Sequence, residues 1–332
     1  MKNFKRIVRS KNFTLIVILV VIVVFFHIAS GKSYLTAINI RTMLNSMVIV
    51  ALLSIGAGFL IISGHIDLSA GYVGTLSGMM IAHFIANLRW PWVPAFLVTM
   101  VIAMFIGAVN ATLVNKLRFQ SFIATLAMGT VSNGLALLVS GGQYINVPKD
   151  IAPEFISIGT SRLFGGLVPS SVLIAVIAMI IYWVILSKTR FGRKVFLVGG
   201  NPTAARLAGI KPQNVSYALF INNAALGCIA GCLVTSRVMS GQIAGTTAQN
   251  FSGITAAILG GVSFGGGSGS IGGIILGLLI ISGFNNGLTI MRVGMQWTQI
   301  ASGLLLILAL TLDYFMSKGL NHRHARSAAT NV

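Results

Sequence analysis

Ten separate stretches of the 332-residue sequence are apolar enough and long enough to lie in a bilayer, and lysine and arginine crowd into alternate gaps between them. Such a chain has few folds open to it. Lipid offers no partner for backbone N–H and C=O groups, and a helix satisfies them within its own segment. Hydrophobic residues make up 55% of the chain and charged residues 8%, whereas a soluble domain is about a quarter charged. The expected fold class is all-α: a polytopic integral membrane protein of about ten transmembrane helices, with membrane lipid as its surroundings.

The hydropathy pattern places spans at 13–30, 43–62, 70–88, 91–114, 121–140, 169–187, 215–238, 251–264, 270–284 and 297–317. A net charge of +19 would suggest nucleic-acid binding in a soluble protein. Here the placement of the bases sets topology, and nucleic acid is not an expected partner. Lys2, Lys5, Arg6, Arg9 and Lys11 precede the first span, and Lys116 and Arg118 follow the fourth. Lys188, Arg190, Arg193, Lys194, Arg206 and Lys211 follow the sixth, and Lys318, Arg323 and Arg326 follow the last. By the positive-inside rule both termini are cytoplasmic. The single transmembrane domain 1–332 then carries three cytoplasmic segments: a tail 1–12, a loop 188–214 and a tail 318–332. Residues 1–29 share the outline of a secretory signal. They are read as a retained span, because the 17 residues of Phe13–Ala29, at a rise of about 1.5 Å each, just cross a bilayer.

The eighth and ninth spans are short, and glycines from Gly260 to Gly273 crowd their junction. Broken or re-entrant helices are expected there, and since irregular backbone at membrane depth survives only beside protein or a water-filled cavity, the junction points to a translocation path. The pairs Gly74/Gly78, Gly227/Gly231, Gly273/Gly277 and Gly283/Gly287 have the small-xxx-small spacing that lets helices approach closely. Asn110–Gln120 faintly matches Asn286–Gln296 five spans later, an odd offset that would make the two copies an inverted repeat.

Several chemical motifs fail on inspection. Gly267, Gly269 and Gly272 fit a dinucleotide-binding turn, but no acidic residue follows at the required distance and no strand–helix–strand unit surrounds them. Gly31-Lys32-Ser33 resembles the end of a phosphate loop, yet Phe26 stands where that motif needs Gly. Cys228 and Cys232 share a helix face without any His, Asp or Glu cluster, so neither metal nor cofactor is expected. No nucleophile–base pair is evident, and the chain is not read as an enzyme.

Two polar segments stand out. Ser63-Gly-His-Ile-Asp67-Leu-Ser69 breaks the chain between spans two and three. An ionised carboxylate near hydrocarbon is costly, so Asp67 either lines a path or locks the break by accepting backbone N–H bonds at the start of span three. The second segment is the loop Thr189–Ile210. Asn201 suits a helix N-cap, Pro202 the first helical position and Gly209 the position beyond the end, which predicts a short helix 202–208. A helix that short frays alone in water. Ala204, Ala205, Leu207 and Ala208 would offer a small apolar surface to a partner's groove.

At these residues the sequence resembles the permeases of bacterial sugar ABC importers of the ribose and galactose type, from end to end. Ser63–Ser69, Phe122-Ile-Ala-Thr-Leu126, Thr189-Arg-Phe-Gly192 with Gly199–Gly209, Ala257–Gly261 with Gly266–Gly269, and Asn285-Asn-Gly-Leu288 match its signatures in order. The resemblance implies ten-helix subunits that pair in the bacterial inner membrane as homo- or heterodimers. Each docks a coupling helix, here Asn201, Pro202, Ala204, Ala205, Arg206, Leu207 and Gly209, into a cytoplasmic ATP-binding cassette ATPase. A periplasmic or lipid-anchored solute-binding protein would deliver a small polar solute, a monosaccharide before a nucleoside or other furanose. Asp67 and Asn285, from matched motifs, and Asn110, Asn222 and Asn223, by polarity within spans, are the candidate path residues. The sequence departs from the family where Gln249-Asn-Phe-Ser252 replaces an acidic Glu-Leu-Asp and where His65 replaces Gly. A proton-coupled secondary transporter is the rival; its relay would draw on His27, His65, Asp67, His83 and Asp313, which do not group along the sequence.

Overall fold

The computed structural model describes residues 11–163, 165–166, 168–294, 296–308 and 310–311. The basic residues before Lys11, the tail 318–332 and Asp313 lie outside the described residues.

Apolar helices follow one another along the chain: α1 (Lys11–Ala29), α2 (Ala37–Ile62), α3 (Ala70–Ala86), α4 (Trp92–Asn115) and α5 (Ser121–Ser140). After a loop carrying the short helix α6 (Pro153–Thr160) come α7 (Ser170–Lys188), two small helices α8 (Arg190–Gly200) and α9 (Pro202–Leu207), and α10 (Pro212–Val238). The chain closes with α11 (Asn250–Leu259), α12 (Ile271–Ile290) and α13 (Gln296–Leu308). Among the described residues strands are limited to two-residue ladders, Ile145–Asn146 with Ser240–Gly241 and Arg162–Leu163 with Val168–Pro169. Among the described residues six helices are long and apolar enough to cross a membrane, and α1, α3 and α13 are shorter apolar helices. The molecule is a multi-pass, all-α membrane protein.

The ninth span departs from the sequence expectation. It is a continuous helix of 20 residues, because Asn285 and Asn286, which end the apolar run, find side-chain partners and let the helix continue. Ser302 Oγ donates to Asn285 Oδ1 at 2.9 Å, and Asn286 exchanges amide bonds with Asn39 at 2.8 and 3.0 Å. Of the eighth and ninth spans, α11 is the short one, at 10 residues. The second span likewise starts earlier, at Ala37, taking Arg41 into its first turns.

Helices α2 and α10 are mostly buried and form the centre, while α4, α5 and α7 bury fewer than a third of their residues. Lipid tails are as apolar as leucine, so helices in a bilayer are held by close packing rather than by hydrophobic transfer. The glycine pairs supply it. A Cβ on Gly231 would sit 1.8 Å from the Gly74 carbonyl oxygen, and one on Gly227 2.5 Å from that of Ala70, so α3 and α10 cross backbone to backbone. Gly273 and Gly277 face the carbonyls of Gly260 and Ala256 in the same way, and Gly287 receives the Phe26 ring of α1. The central packing has paired counterparts: α3 packs on α10 as α11 does on α2, α4 on α10 as α12 on α2, and α3 on α4 as α11 on α12.

Candidate translocation and coupling site

The break between α2 and α3 is closed by side chains from four other helices. Unwound backbone at this depth must find partners within the protein. Ser121 Oγ accepts the Ile66 N–H at 3.1 Å and Thr125 Oγ1 that of Leu68 at 3.0 Å, both from α5. From α11, Asn250 Nδ2 donates to the Leu68 carbonyl at 2.9 Å while its Oδ1 accepts the Gly71 N–H at 3.0 Å. Asp67 is 3% exposed. Its Oδ1 accepts from Ser69 N at 2.7 Å and Ser69 Oγ at 2.6 Å, and its Oδ2 from Asn223 Nδ2 of α10 at 2.9 Å. Asn110 Nδ2 of α4 donates to Ser69 Oγ at 2.8 Å.

Asp67, Asn110 and Asn223 therefore belong to one buried cluster centred on Ser69. Asp67 holds Ser69, the N-cap residue before α3, rather than the first amides within the helix. Asn222 stands apart, its Oδ1 accepting from the Tyr182 hydroxyl, and so does Asn285 on α12. Sequence reasoning missed Ser121, Thr125 and Asn250, whose roles rest on contacts across more than fifty positions of chain.

At the end of the bundle reached by the α2 C-terminus, α8 and α9 fold against the helix ends. The loop expected at 190–200 is a helix, capped by the Thr189 hydroxyl, which accepts the Gly192 N–H at 3.2 Å. Its Gly192, Val195 and Val198 are buried while Arg193, Lys194 and Leu197 are exposed. That period of three to four residues is an amphipathic stripe, interrupted to the eye by its six glycine and basic positions. Asn201 Oδ1 caps α9, accepting from Thr203 N and Ala204 N at 3.0 Å each. The helix ends at Leu207, one residue sooner than expected, with Gly209 in the left-handed region at φ 77°. Its apolar residues do not share one surface: Ala205 is buried in the protein core at 2% exposure, whereas Leu207 is 87% exposed. The residues of α9 open to a partner are thus Pro202, Thr203, Ala204, Arg206 and Leu207.

The glycine-rich segment 260–270 lies at this same end. Gly267 N donates to the Ile62 carbonyl at 2.8 Å, and Gly199 packs on the same carbonyl. The close approach of three backbones accounts for the glycines, which had pointed to a path from sequence.

Among the described residues, two of the cavities in the bundle bear on the site. One, of about 1080 Å³, lies beside α9 and is lined by His65, Arg118, Arg206 and Lys211 among others. The second, of about 740 Å³, lies toward the opposite end among α2, α11, α12 and α13, and Asn285 lines it. Of the five candidate path residues, Asn285 alone lines either cavity. The histidines do not gather: His65 packs on the Phe220 ring, and His83 meets Asn87 at 3.1 Å. Cys228 and Cys232 are free and buried, and no group of three or more metal-ligating side chains occurs among the described residues.

A family model described as branched-chain amino acid transport system / permease component matches residues 39–310. The chain is 34% identical over 296 residues to the ribose import permease protein of Bacillus subtilis (strain 168), covering 89% of each. It is 31% identical to the D-allose transport system permease protein of Escherichia coli (strain K12) and 27% identical to the xylose transport system permease protein of the same organism, covering 91% of each chain in both cases. The motif resemblance is borne out, and the relatives it pointed to are sugar permeases. Because the matched region runs from α2 into α13 and takes in the Asp67 cluster, α8 and α9, the chain belongs to the family of branched-chain amino acid transport system permease components.

Proposed function

We propose that this chain is the membrane-spanning subunit of an ABC importer that carries a monosaccharide inward, energised by ATP hydrolysis in a separate subunit. The solute class rests on the relatives, which are named for ribose, allose and xylose. The chain acts as one domain in the bacterial inner membrane with both termini in the cytoplasm, pairs with a second permease subunit, and receives solute from a binding protein on the outer face.

The observation that carries the coupling role is α9: a helix with a side-chain cap, tied down through Ala205 and presenting an 87% exposed leucine. A solvent-facing leucine on so short a helix is an anchor for a partner's hydrophobic groove. Docked on the ATPase, α9 moves α8 with it, and Gly199 delivers that motion to the ends of α2 and of the α11–α12 segment, where their backbones meet. The Asp67 cluster keeps the α2–α3 break rigid enough to pass it on.

The test is co-expression with the neighbouring genes of the same operon. Recovery of an ATP-binding subunit whose hydrolysis rises when solute-loaded binding protein is added supports the proposal. A chain that is purified alone and moves solute in liposomes under a pH gradient without ATP overturns it in favour of the proton-coupled reading, with His65 and Asp67 as residues to substitute.

A further inference from the structure

The cavity among α2, α11, α12 and α13 contains polar atoms with nothing to bond. Gln249 Oε1 and Ser282 Oγ line it and are buried without a hydrogen-bond partner, and Ser282 is only 7% exposed. A buried polar group left without a partner is costly, so two at one cavity mark groups held ready for a ligand. Their neighbours Asn285 and Asn286 have a bond each to Ser302 and Asn39, which fixes their amides in place.

The lining is otherwise hydroxyl and carboxamide side chains with apolar residues between them. Among the described residues its one charge is Arg237, whose Nη1 already donates to the Asn45 carbonyl at 2.7 Å. No carboxylate among the described residues lines it. A volume of about 740 Å³ falls in the ordinary range of small-molecule pockets, roughly 300–1,000 Å³. Ser46 of the lining stands sixteen residues before Ile62 on α2, roughly 24 Å along the axis at 1.5 Å per residue, and so far from α8 and α9.

We infer that this cavity is a binding station for an uncharged monosaccharide within a single subunit, with Gln249 Oε1 accepting from a sugar hydroxyl and Ser282 Oγ bonding a second. Amides and hydroxyls match a polyol, whereas a sugar phosphate would bring its negative charge to a lining whose one described cation, Arg237, already donates through Nη1 to the Asn45 carbonyl. The inference rests on the importer reading for its solute class, but the station is a property of one subunit and needs no second copy.

The test uses the assembled importer in detergent, without binding protein. The S282C thiol is reacted with a small methanethiosulfonate reagent, against the unsubstituted chain as background for Cys228 and Cys232. D-ribose, D-xylose and D-allose are then added singly, followed by D-ribose 5-phosphate. Expected is slowing by about tenfold when one free sugar is present at about ten times its dissociation constant, with no slowing by the phosphate. An unchanged rate with all three sugars overturns the inference, and slowing by the phosphate alone overturns its claim of an uncharged ligand. Separately, S282L removes the hydroxyl and puts a bulkier apolar side chain at the station, and is expected to cut uptake at least about tenfold while ATPase recruitment and its stimulation by binding protein persist; wild-type uptake with S282L overturns the station. Failure of the unsubstituted chain to recruit an ATPase would instead count against the importer reading, and sugar protection of the S282C thiol would still decide the station.

Discussion

Gly199, at the end of α8, lies so close to Ile62, at the end of α2, that a Cβ on it would stand 1.7 Å from the Ile62 carbonyl oxygen. That oxygen also accepts the Gly267 N–H, so neither backbone has room to yield. Gly200 has nothing within 4 Å of its Cβ position.

Substituting these neighbours separates the junction from mere helix composition. G199A forces the segments apart at a cost of about 1–3 kcal/mol, lowering the thermal unfolding midpoint in detergent and the uptake rate together. G200A leaves both unchanged. Equal behaviour of the two variants would show that the junction transmits nothing.

Ala205 and Leu207 give a second contrast on one helix. L207D lies on the surface and changes stability by no more than about 0.5 kcal/mol, yet it abolishes recovery of the ATPase in a pull-down. A205E places an unpaired charge in the core and lowers the unfolding midpoint before any question of docking arises. Normal ATPase recovery with L207D would remove α9 from the coupling role.

The α3–α10 crossing predicts opposite outcomes for two glycine-to-alanine changes. G231A pushes a methyl to 1.8 Å from the Gly74 oxygen and destabilises by at least about 1–3 kcal/mol. Gly134 on α5 has open space around it, so G134A is neutral or gains up to about 1 kcal/mol of helix propensity. Thermal unfolding of the two proteins side by side is the check.

Asp67 predicts a graded loss. D67A strands the Asn223 amide and both Ser69 donors, at about 1–3 kcal/mol for each buried group left unpartnered. D67N keeps one acceptor oxygen and falls between D67A and the parent in unfolding midpoint. Equal midpoints for D67A and the parent would show that the cluster does not hold the α2–α3 break.

The membrane class, the number and order of the apolar helices, and the capped helix at 202 were legible in the sequence, because each depends on interactions within a few residues: hydropathy along a span, Asn201 bonding amides two and three positions on, glycine where φ turns positive. The glycine pairs were legible as packing devices for the same reason. Which helix each pair would meet was not. Tertiary structure decided that Ala205 turns inward and Leu207 outward, that α12 runs on past Asn285, and that Ser121, Thr125 and Asn250 would close the break at Asp67. It also gathered Gln249 and Ser282, 33 positions apart, about one cavity. A buried hydrogen bond forms between groups that folding brings together across the chain, and no periodicity along the sequence records which helix will supply its other half.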